Sequence, residues 1–180
     1  GRGRGGAPRP RRGRAVQARI EIPLATAYSG GRERISLHDG SGERTLEVKI
    51  PAGILPGQQI RLSGQGTRGS HGAPAGDLML EVTIREDSRF RLEGRDVHVT
   101  LALAPWEAAL GATLTVPTLG GDVELKIPAG SDSGKRMRLR GRGMPGATPG
   151  DQFVTLEIHV PPAKTEAQRK LYEQMAKAFA

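Results

Sequence analysis

Two glycine-rich segments have the spacing of a dinucleotide-binding loop. Residues 64–69 read Gly-Gln-Gly-Thr-Arg-Gly and residues 141–146 read Gly-Arg-Gly-Met-Pro-Gly, so both follow the pattern Gly-x-Gly-x-x-Gly. In a dinucleotide site this pattern binds pyrophosphate because a helix begins within it and directs free N–H groups at the phosphates. Neither segment can begin a helix, since Ser-His-Gly-Ala-Pro-Ala-Gly follows the first and Ala-Thr-Pro-Gly follows the second. We therefore interpret both as turns and expect no bound cofactor.

The side chains that could ligate a metal or act in catalysis are scattered along the chain. There is no cysteine, and the spacing of the four histidines is not typical of a metal site: His38, His71, His98 and His159. Four aspartates stand beside Gly or Ser, where a carboxylate commonly caps a turn: Asp39, Asp77, Asp132 and Asp151. No Gly-x-Ser-x-Gly nucleophile motif occurs. The sequence therefore predicts no catalytic residue, no metal and no enzymatic activity.

Arginine is concentrated in two places. Gly1 to Arg14 contains six arginines and no acidic residue, whereas residues 15–180 hold 21 basic and 19 acidic residues. We predict that residues 1–14 form a disordered linker, and its candidate nucleic-acid contacts are Arg2, Arg4, Arg11, Arg12 and Arg14. The second place is a predicted strand in which arginines alternate with apolar residues: Arg136, Arg138, Arg140 and Arg142. We interpret it as a solvated strand face, with an acidic partner as the alternative.

The composition favours a turn-rich β protein. The chain of 180 residues contains 26 glycines and 13 prolines, and only six residues are aromatic. Few aromatic rings are available to stack on the bases of single-stranded nucleic acid. No apolar run of about 18 residues is present, so we expect no membrane association. The absence of cysteine fits a reducing compartment, and we expect the protein to be cytoplasmic.

The sequence contains an internal duplication. At an offset of 77 residues, Glu47–Gly69 matches Glu124–Gly146 at 12 of 23 positions. After a gap of three residues the match resumes at Gly76-Asp77 and Gly150-Asp151, and an alternating apolar run follows each pair. Self-similarity of this kind indicates one structural unit used twice. We therefore predict a first β domain over residues 15–87 and a second over residues 88–161.

Each copy predicts the same order of elements. A strand of period two opens the copy, and a connection follows that in the second copy, Pro105–Gly111, has the proline and glycine placement of one helical turn. A strand pair then ends at Lys-Ile-Pro-Ala-Gly, where Gly53 or Gly130 can adopt the positive φ of a tight turn. A short strand, the glycine-rich loop and a closing strand complete the copy. The fold class is therefore mainly β: two small tandem sandwiches or partly open barrels, each with a helical turn.

The motifs together resemble the C-terminal, client-binding region of DnaJ-type J-domain proteins over residues 15–180. They are the two Ile-Pro-Ala-Gly segments with Arg-Leu-x-Gly-x-Gly after each, the Gly-Asp before each closing strand, and Pro-Trp-Glu-Ala-Ala-Leu-Gly with Val-Pro-Thr-Leu. Without cysteine the chain resembles the zinc-free class, which includes the curved-DNA-binding proteins. The His-Pro-Asp motif of a J domain is also missing, so we interpret the chain as a fragment that does not itself stimulate a DnaK-type ATPase.

The resemblance implies that the chain holds unfolded polypeptide in an apolar groove on the first domain, for transfer to a DnaK-type chaperone. Carried over by position, the groove is lined by Ile20, Ile22, Ile35, Leu37 and Leu80. The alternative is that these five residues are core, because strand alternation cannot separate an apolar groove from an apolar interior. If the first domain is the client site, the second domain serves as spacer and support.

A C-terminal helix is predicted within residues 162–180. Thr165 and Gln168 form a capping box, and Leu171, Met175 and Phe179 then share one face at i, i+4 and i+8. In the resembled family this region pairs two protomers, so a homodimer is expected, with packing on the second domain as the alternative. A DNA-binding nucleoid protein acting through its basic segments is the alternative function.

Overall fold

The computed structural model describes residues 5–39 and 42–180, and over these ranges the protein is mainly β. The strands and helices run in the following order: β1 (Val16–Ile22), α1 (Leu24–Ser29), β2 (Gly31–Asp39), β3 (Gly42–Ile50), β4 (Gln59–Leu62), β5 (Leu78–Ile84), β6 (Arg91–Glu93), β7 (Asp96–Leu103), α2 (Pro105–Leu110), β8 (Ala112–Thr118), β9 (Gly121–Ile127), β10 (Arg136–Leu139), β11 (Gln152–Ile158) and α3 (Glu166–Ala178). The prediction of a mainly β fold with short helices and a C-terminal helix is confirmed.

The first sheet has the strand order β1-β5-β4. β1 and β5 are parallel, with Ile20 opposite Val82, and β4 is antiparallel to β5, with Ile60 opposite Leu80. Alternate residues of all three strands therefore share one apolar face, while Arg19 and its neighbours form a polar face. The apolar face supplies the core of this sheet, since Val82 is fully buried. The parallel pairing of β1 with β5 is the feature that strand alternation did not predict.

β2 and β3 form an antiparallel hairpin, in which Ile35 lies opposite Leu46 and Glu33 opposite Val48. Pro51 follows β3 directly, and Gly53 has φ +80° in the turn that the sequence predicted there. The N–H of Gly53 donates to the carbonyl oxygen of Ala27, which attaches this turn to α1. A side chain at residue 53 would be strained because that φ is unfavourable for L residues.

The second copy repeats these elements. β8 and β9 form an antiparallel hairpin, and Gly130 has φ +76° where Gly53 has φ +80°. The helical turn predicted from Pro105 is α2, which ends at Leu110. A four-stranded sheet has the order β10-β11-β7-β6. β6 has no counterpart in the prediction, because three residues are too few to show an alternation.

The chain divides into two compact units. Unit 1 contains the described residues up to Val97 together with Arg140–Gln152, and unit 2 contains His98–Leu139 and Phe153–Ala180. These bounds differ from the domains predicted at 15–87 and 88–161, which stay a prediction about the duplicated segments.

The N-terminal arm, residues 11–14, is hydrogen-bonded to unit 1, which differs from the disordered linker expected over residues 1–14; the bounds of that linker stay a prediction. Arg11 forms an isolated antiparallel bridge with Ser70, and the N–H of Thr67 donates to the carbonyl oxygen of Arg14 at 2.9 Å. The physical reason is that backbone hydrogen bonds, which composition cannot reveal, hold the arm against a loop far along the chain.

Candidate functional site

Three of the five predicted groove residues are core residues of unit 1. Ile20 is 5% exposed, and Ile22 and Leu80 are 0% exposed. All three lie on the apolar face that β1 and β5 share, where Ala18 is opposite Leu80. Their burial supports the alternative left open by the sequence, since a client side chain cannot reach a residue without exposed surface.

The other two groove residues, Ile35 and Leu37, are half-buried and lie together on β2. Leu46 and Arg44 stand opposite them on β3. Arg44 donates through Nη1 to Oε1 of Gln65 at 3.1 Å and through Nη2 to the carbonyl oxygen of the same residue. This contact attaches the hairpin to the loop after β4 and leaves Ile35 and Leu37 with part of their apolar surface accessible.

β2 also has an unpaired edge. Among the strands that the structure describes, β2 pairs with β3 alone. An edge strand presents a row of N–H and C=O groups that can pair with an extended polypeptide. On β2 this edge accompanies two half-buried apolar side chains, so backbone pairing and apolar contact are available at one place. We call Ile35, Leu37 and the free edge of β2 the β2 surface.

Unit 2 differs from unit 1 in its apolar surface. Over the described residues, the large hydrophobic side chains with high exposure all belong to unit 2: Trp106 (56%), Leu110 (79%), Val160 (70%), Leu171 (65%), Met175 (44%) and Phe179 (85%). Trp106, Leu110 and Val160 are not among the site residues predicted from the sequence. The first two stand at i and i+4 of α2, whose one buried residue is Ala108. That spacing is the signal that could have identified an apolar face on α2.

Two of the three predicted dimer residues, Leu171 and Met175, lie on α3 and border an apolar cleft. Trp106, Pro161 and Tyr172 also line this cleft, which has a volume of about 480 Å³. The Tyr172 hydroxyl donates to the carbonyl oxygen of Pro161, which attaches α3 to the segment before it. No residue of α3 is buried. Phe179, the third residue of the stripe, is the C-cap rather than part of the helix.

The two glycine-rich loops are turns held by an aspartate. Asp77 Oδ1 accepts the N–H of Gly64 at 3.0 Å, and Asp151 Oδ1 accepts the N–H of Gly141 at 2.8 Å. The prediction that these carboxylates cap turns is confirmed for both. The N–H of Gly64, and next the Arg61 guanidinium, lower the pKa of the Asp77 carboxyl below its usual range. The loops therefore serve the fold, with no helix N-terminus that could receive a phosphate.

The candidate nucleic-acid contacts fall into two groups. Arg2 and Arg4 lie outside the described residues. Arg11, Arg12 and Arg14 lie on the ordered arm with exposed side chains, and Arg12 Nη2 is 3.9 Å from Oδ2 of Asp77. The backbone of the arm is thus held on unit 1 at Arg11 and Arg14, while the three arginine side chains are exposed.

His98 and Arg136 of the arginine-rich strand contact the same aromatic ring. His98 stacks on Phe153 with ring centroids 5.3 Å apart, and the Arg136 guanidinium lies 4.6 Å from the centre of the same ring. β10 includes Arg136 and Arg138 but ends before Arg140, so the arginine face is shorter than the alternation predicted. Within residues 5–39 and 42–180, no three His, Asp or Glu side chains are grouped closely enough to hold a metal ion.

The chain matches a known protein family over most of its length. The family model described as the DnaJ C terminal domain matches residues 16–161, from the first residue of β1 to the end of the second copy. The chain belongs to the DnaJ C-terminal domain family. The resemblance inferred from the repeated Ile-Pro-Ala-Gly motifs is therefore confirmed.

Curated relatives with the printed name Curved DNA-binding protein are similar to this chain. The protein from Coxiella burnetii is 46% identical over 175 residues, which are 92% of this chain and 56% of the relative. Those from Salmonella arizonae and Escherichia coli are 47% and 46% identical over 136 residues, covering 75% of this chain and 44% of each relative. The chain thus spans about half the length of the curated relatives that it matches.

Among the helices in the described part of the chain, none combines the length and the apolar character needed to cross a bilayer.

Proposed function

We propose that this chain binds unfolded polypeptide at the β2 surface and holds it for a DnaK-type chaperone. The observation that carries the proposal is the combination, within a DnaJ C-terminal domain, of half-buried Ile35 and Leu37 with an unpaired strand edge. An extended client segment would add to the free edge of β2 and place alternate side chains over these two residues. Because backbone pairing is independent of sequence, the site would accept many clients with exposed apolar side chains.

The affinity expected from this surface is modest. A fully buried Leu or Ile contributes about 1.5–3 kcal/mol, so a half-buried one has roughly 1 kcal/mol of apolar contact left to offer. Together Ile35 and Leu37 would contribute about 2 kcal/mol, or roughly a 30-fold change in affinity. Weak, exchangeable binding suits a protein that passes its client to a second chaperone.

The test compares two variants in suppression of the aggregation of an unfolded client. Ile35→Ser combined with Leu37→Ser removes the apolar side chains of the β2 surface, and we expect client affinity to fall by roughly 30-fold. Val48→Ala is the matched control, because Val48 lies on the same hairpin with 0% exposure. It reduces stability without changing the surface.

Client protection by the double variant at the wild-type level would remove the β2 surface from the proposal. Equal loss of protection by Val48→Ala, at a temperature where both variants are folded, would assign the effect to stability instead.

We also propose that two chains pair through the exposed stripe of α3 and the adjoining cleft in unit 2. Leu171 and Met175 are 65% and 44% exposed, and Phe179 is 85% exposed at the end of the helix. Apolar surface of this kind is typical of a protein interface. Pairing would place two β2 surfaces in one assembly, which raises avidity for a client that reaches both.

Sedimentation equilibrium at micromolar concentration tests the pairing. The wild-type chain should be a dimer, Leu171→Asp with Met175→Asp should be a monomer, and Lys170→Asp, which changes the exposed polar face of α3, should remain a dimer. A wild-type chain that is a monomer throughout the micromolar range would contradict the proposal.

Duplex DNA binding is the second candidate function. Two observations favour it: the relatives carry the printed name Curved DNA-binding protein, and Arg11, Arg12 and Arg14 are held on an ordered arm with exposed side chains. Because the backbone of the arm is held, its arginines would contact successive phosphates with a smaller loss of backbone entropy than arginines on a free tail.

The salt dependence of duplex binding tests this candidate. Loss of two phosphate contacts should reduce the slope of log K against log salt by about 1.8. We expect this change for Arg11→Gln with Arg14→Gln, and none for Arg32→Gln with Arg34→Gln, which changes exposed arginines on β2. An equal change in both double variants would mean that DNA binding depends on net charge rather than on the arm.

A further inference from the structure

The first glycine-rich loop is three residues longer than the second, and the additional residues contact the N-terminal arm. The loop runs from Gly64 to Asp77 in the first copy and from Gly141 to Asp151 in the second. Ser70 lies in the longer part, and its N–H donates to the carbonyl oxygen of Arg11 at 2.9 Å. The N–H of Arg11 donates back to the Ser70 hydroxyl at 3.1 Å. The longer loop thus makes a contact with Arg11 for which the shorter loop of the second copy has no equivalent residue.

Arg14, at the end of the arm, makes a backbone contact that Arg95 repeats in the second copy. The N–H of Thr67 donates to the carbonyl oxygen of Arg14, and the N–H of Met144 donates to that of Arg95 at the equivalent position. In each copy the second glycine of the loop packs on this carbonyl, since a Cβ at Gly66 would lie 2.6 Å from Arg14 O and one at Gly143 would lie 2.4 Å from Arg95 O. This shared contact belongs to the duplicated fold, whereas the bridge from Arg11 to Ser70 is an addition to it.

The extension forms a tight turn. The N–H of Ala73 donates to the carbonyl oxygen of Ser70 at 3.0 Å, with His71 at φ +53° and Gly72 at φ +81°. A positive φ is uncommon for a residue other than glycine and is sustained when the surrounding structure compensates for it. The turn brings Ser70 to Arg11 and Pro74 to Gly13, whose N–H donates to the Pro74 carbonyl oxygen at 2.9 Å.

Gly13 is the residue that permits the arm to lie so close. A Cβ at residue 13 would be 1.7 Å from the carbonyl oxygen of Thr67 and 2.7 Å from the amide nitrogen of Gly76. No side chain can be accommodated at that distance without displacing backbone. By contrast, a Cβ at Gly6 would meet nothing within 4 Å. The space around residue 13 therefore admits only glycine, whereas the space around residue 6 would admit a side chain.

We propose that the extended loop, residues 67–76, is a binding site for an extended Arg-x-Gly segment of this same chain. The site holds the segment by backbone pairing at Arg11 and Gly13, and Asp77, the residue directly after the site, lies 3.9 Å from the Arg12 guanidinium. Its consequence is that the chain on the N-terminal side of Arg11 leaves unit 1 from a fixed point. The proposal concerns a different surface from the β2 surface and does not depend on polypeptide binding.

Amide hydrogen exchange by NMR in the full chain tests the site. The Arg11 amide should exchange at least roughly tenfold faster in Gly13→Ala, relative to the Val82 amide of β5, because local opening is measured against the stability of the unit. Gly6→Ala is the matched control and should leave the ratio unchanged. Deletion of residues 70–72, which gives the first loop the length of the second, should also accelerate Arg11 while Thr67 remains protected.

An unchanged ratio of Arg11 to Val82 exchange in both Gly13→Ala and the deletion variant would overturn the proposal. The proposal also fails if Gly6→Ala accelerates Arg11 as much as Gly13→Ala does, because the arm would then be sensitive to any substitution rather than to contact with the loop.

Discussion

The apolar surfaces of the two units differ from what the family resemblance implied. In unit 1 the residues expected to line a groove on β1 and β5 are buried, and Ile35 and Leu37 on β2 keep part of their surface. In unit 2 the large apolar side chains of α2, in the domain expected to be a spacer, are exposed, and so is the stripe of α3 that was expected to pair two protomers. The comparison teaches that alternation identifies which face of a strand is apolar but not what covers that face. Unit 2 therefore has an apolar surface that a partner can cover.

The largest expected effect contrasts a buried residue of unit 1 with an exposed one of unit 2. Leu80→Asp places a carboxylate without a partner at a position that is 0% exposed, and it should lower the free energy of unfolding of unit 1 by about 3–5 kcal/mol. Leu171→Asp, at 65% exposure, should change the stability of unit 2 by no more than about 0.5 kcal/mol. Urea unfolding followed by NMR signals of each unit separates the two, since two units need not unfold together.

If Leu80→Asp leaves unit 1 as stable as the wild type, then Leu80 can reach solvent and the groove predicted from the family resemblance includes β5 after all. Unit 1 would then also have apolar surface that a partner can cover.

Much of the fold could be predicted because the same local signals occur twice. The Ile-Pro-Ala-Gly turns, the helical turn at Pro105 and the capping box at Thr165 each depend on neighbouring residues, and the structure contains all of them. The parallel partner of β1 is 62 residues away in the chain at Val16 and Leu78, and no local pattern specifies such a pairing.

The candidate site was harder to predict than the fold. Ala18 and Ile20 occupy the same phase of β1, yet Ala18 is half-buried and Ile20 is 5% exposed. Their difference depends on which elements lie over each end of the strand, which is a tertiary property. The contacts of the arm could not be predicted for a similar reason. The close approach of Gly13 to Thr67 is a long-range contact, and a Gly/Arg-rich composition gives no local signal for it.

A smaller effect is expected at the N-terminus of α3. The Thr165 side chain accepts the N–H of Gln168 at 3.2 Å, and the Gln168 side chain accepts the N–H of Thr165 at 3.1 Å. Because α3 has no buried residue, little tertiary packing compensates for a lost cap. Thr165→Ala should therefore destabilise α3 by about 1 kcal/mol, seen as reduced helical circular dichroism at 222 nm.

Thr165→Ser is the control for the cap, since serine retains the hydroxyl and should preserve the helical signal. Pairing of α3 with a second chain would mask the loss, so an effect that appears on dilution but not at high concentration would add support for the dimer. Equal helicity of the alanine and wild-type chains under dilute conditions would mean that contacts in unit 2 hold α3 without its cap.

The smallest effect is expected at Asp77, whose carboxyl carries a lowered pKa because it accepts the Gly64 N–H and pairs with Arg61. A carboxyl whose pKa is lower in the folded state stabilises that state above its unfolded pKa of about 3.9, and the contribution is lost as the pH falls through the folded value. Asp77→Asn should thus be less stable than wild type at neutral pH, and the two should converge in acid. Thermal unfolding from pH 7 to pH 2 measures the difference, with Asp122→Asn, on the exposed edge of the β8–β9 hairpin, as the control. A gap between Asp77→Asn and wild type that persists at pH 2 would show that the amide disturbs the loop sterically and that the charge of Asp77 contributes nothing.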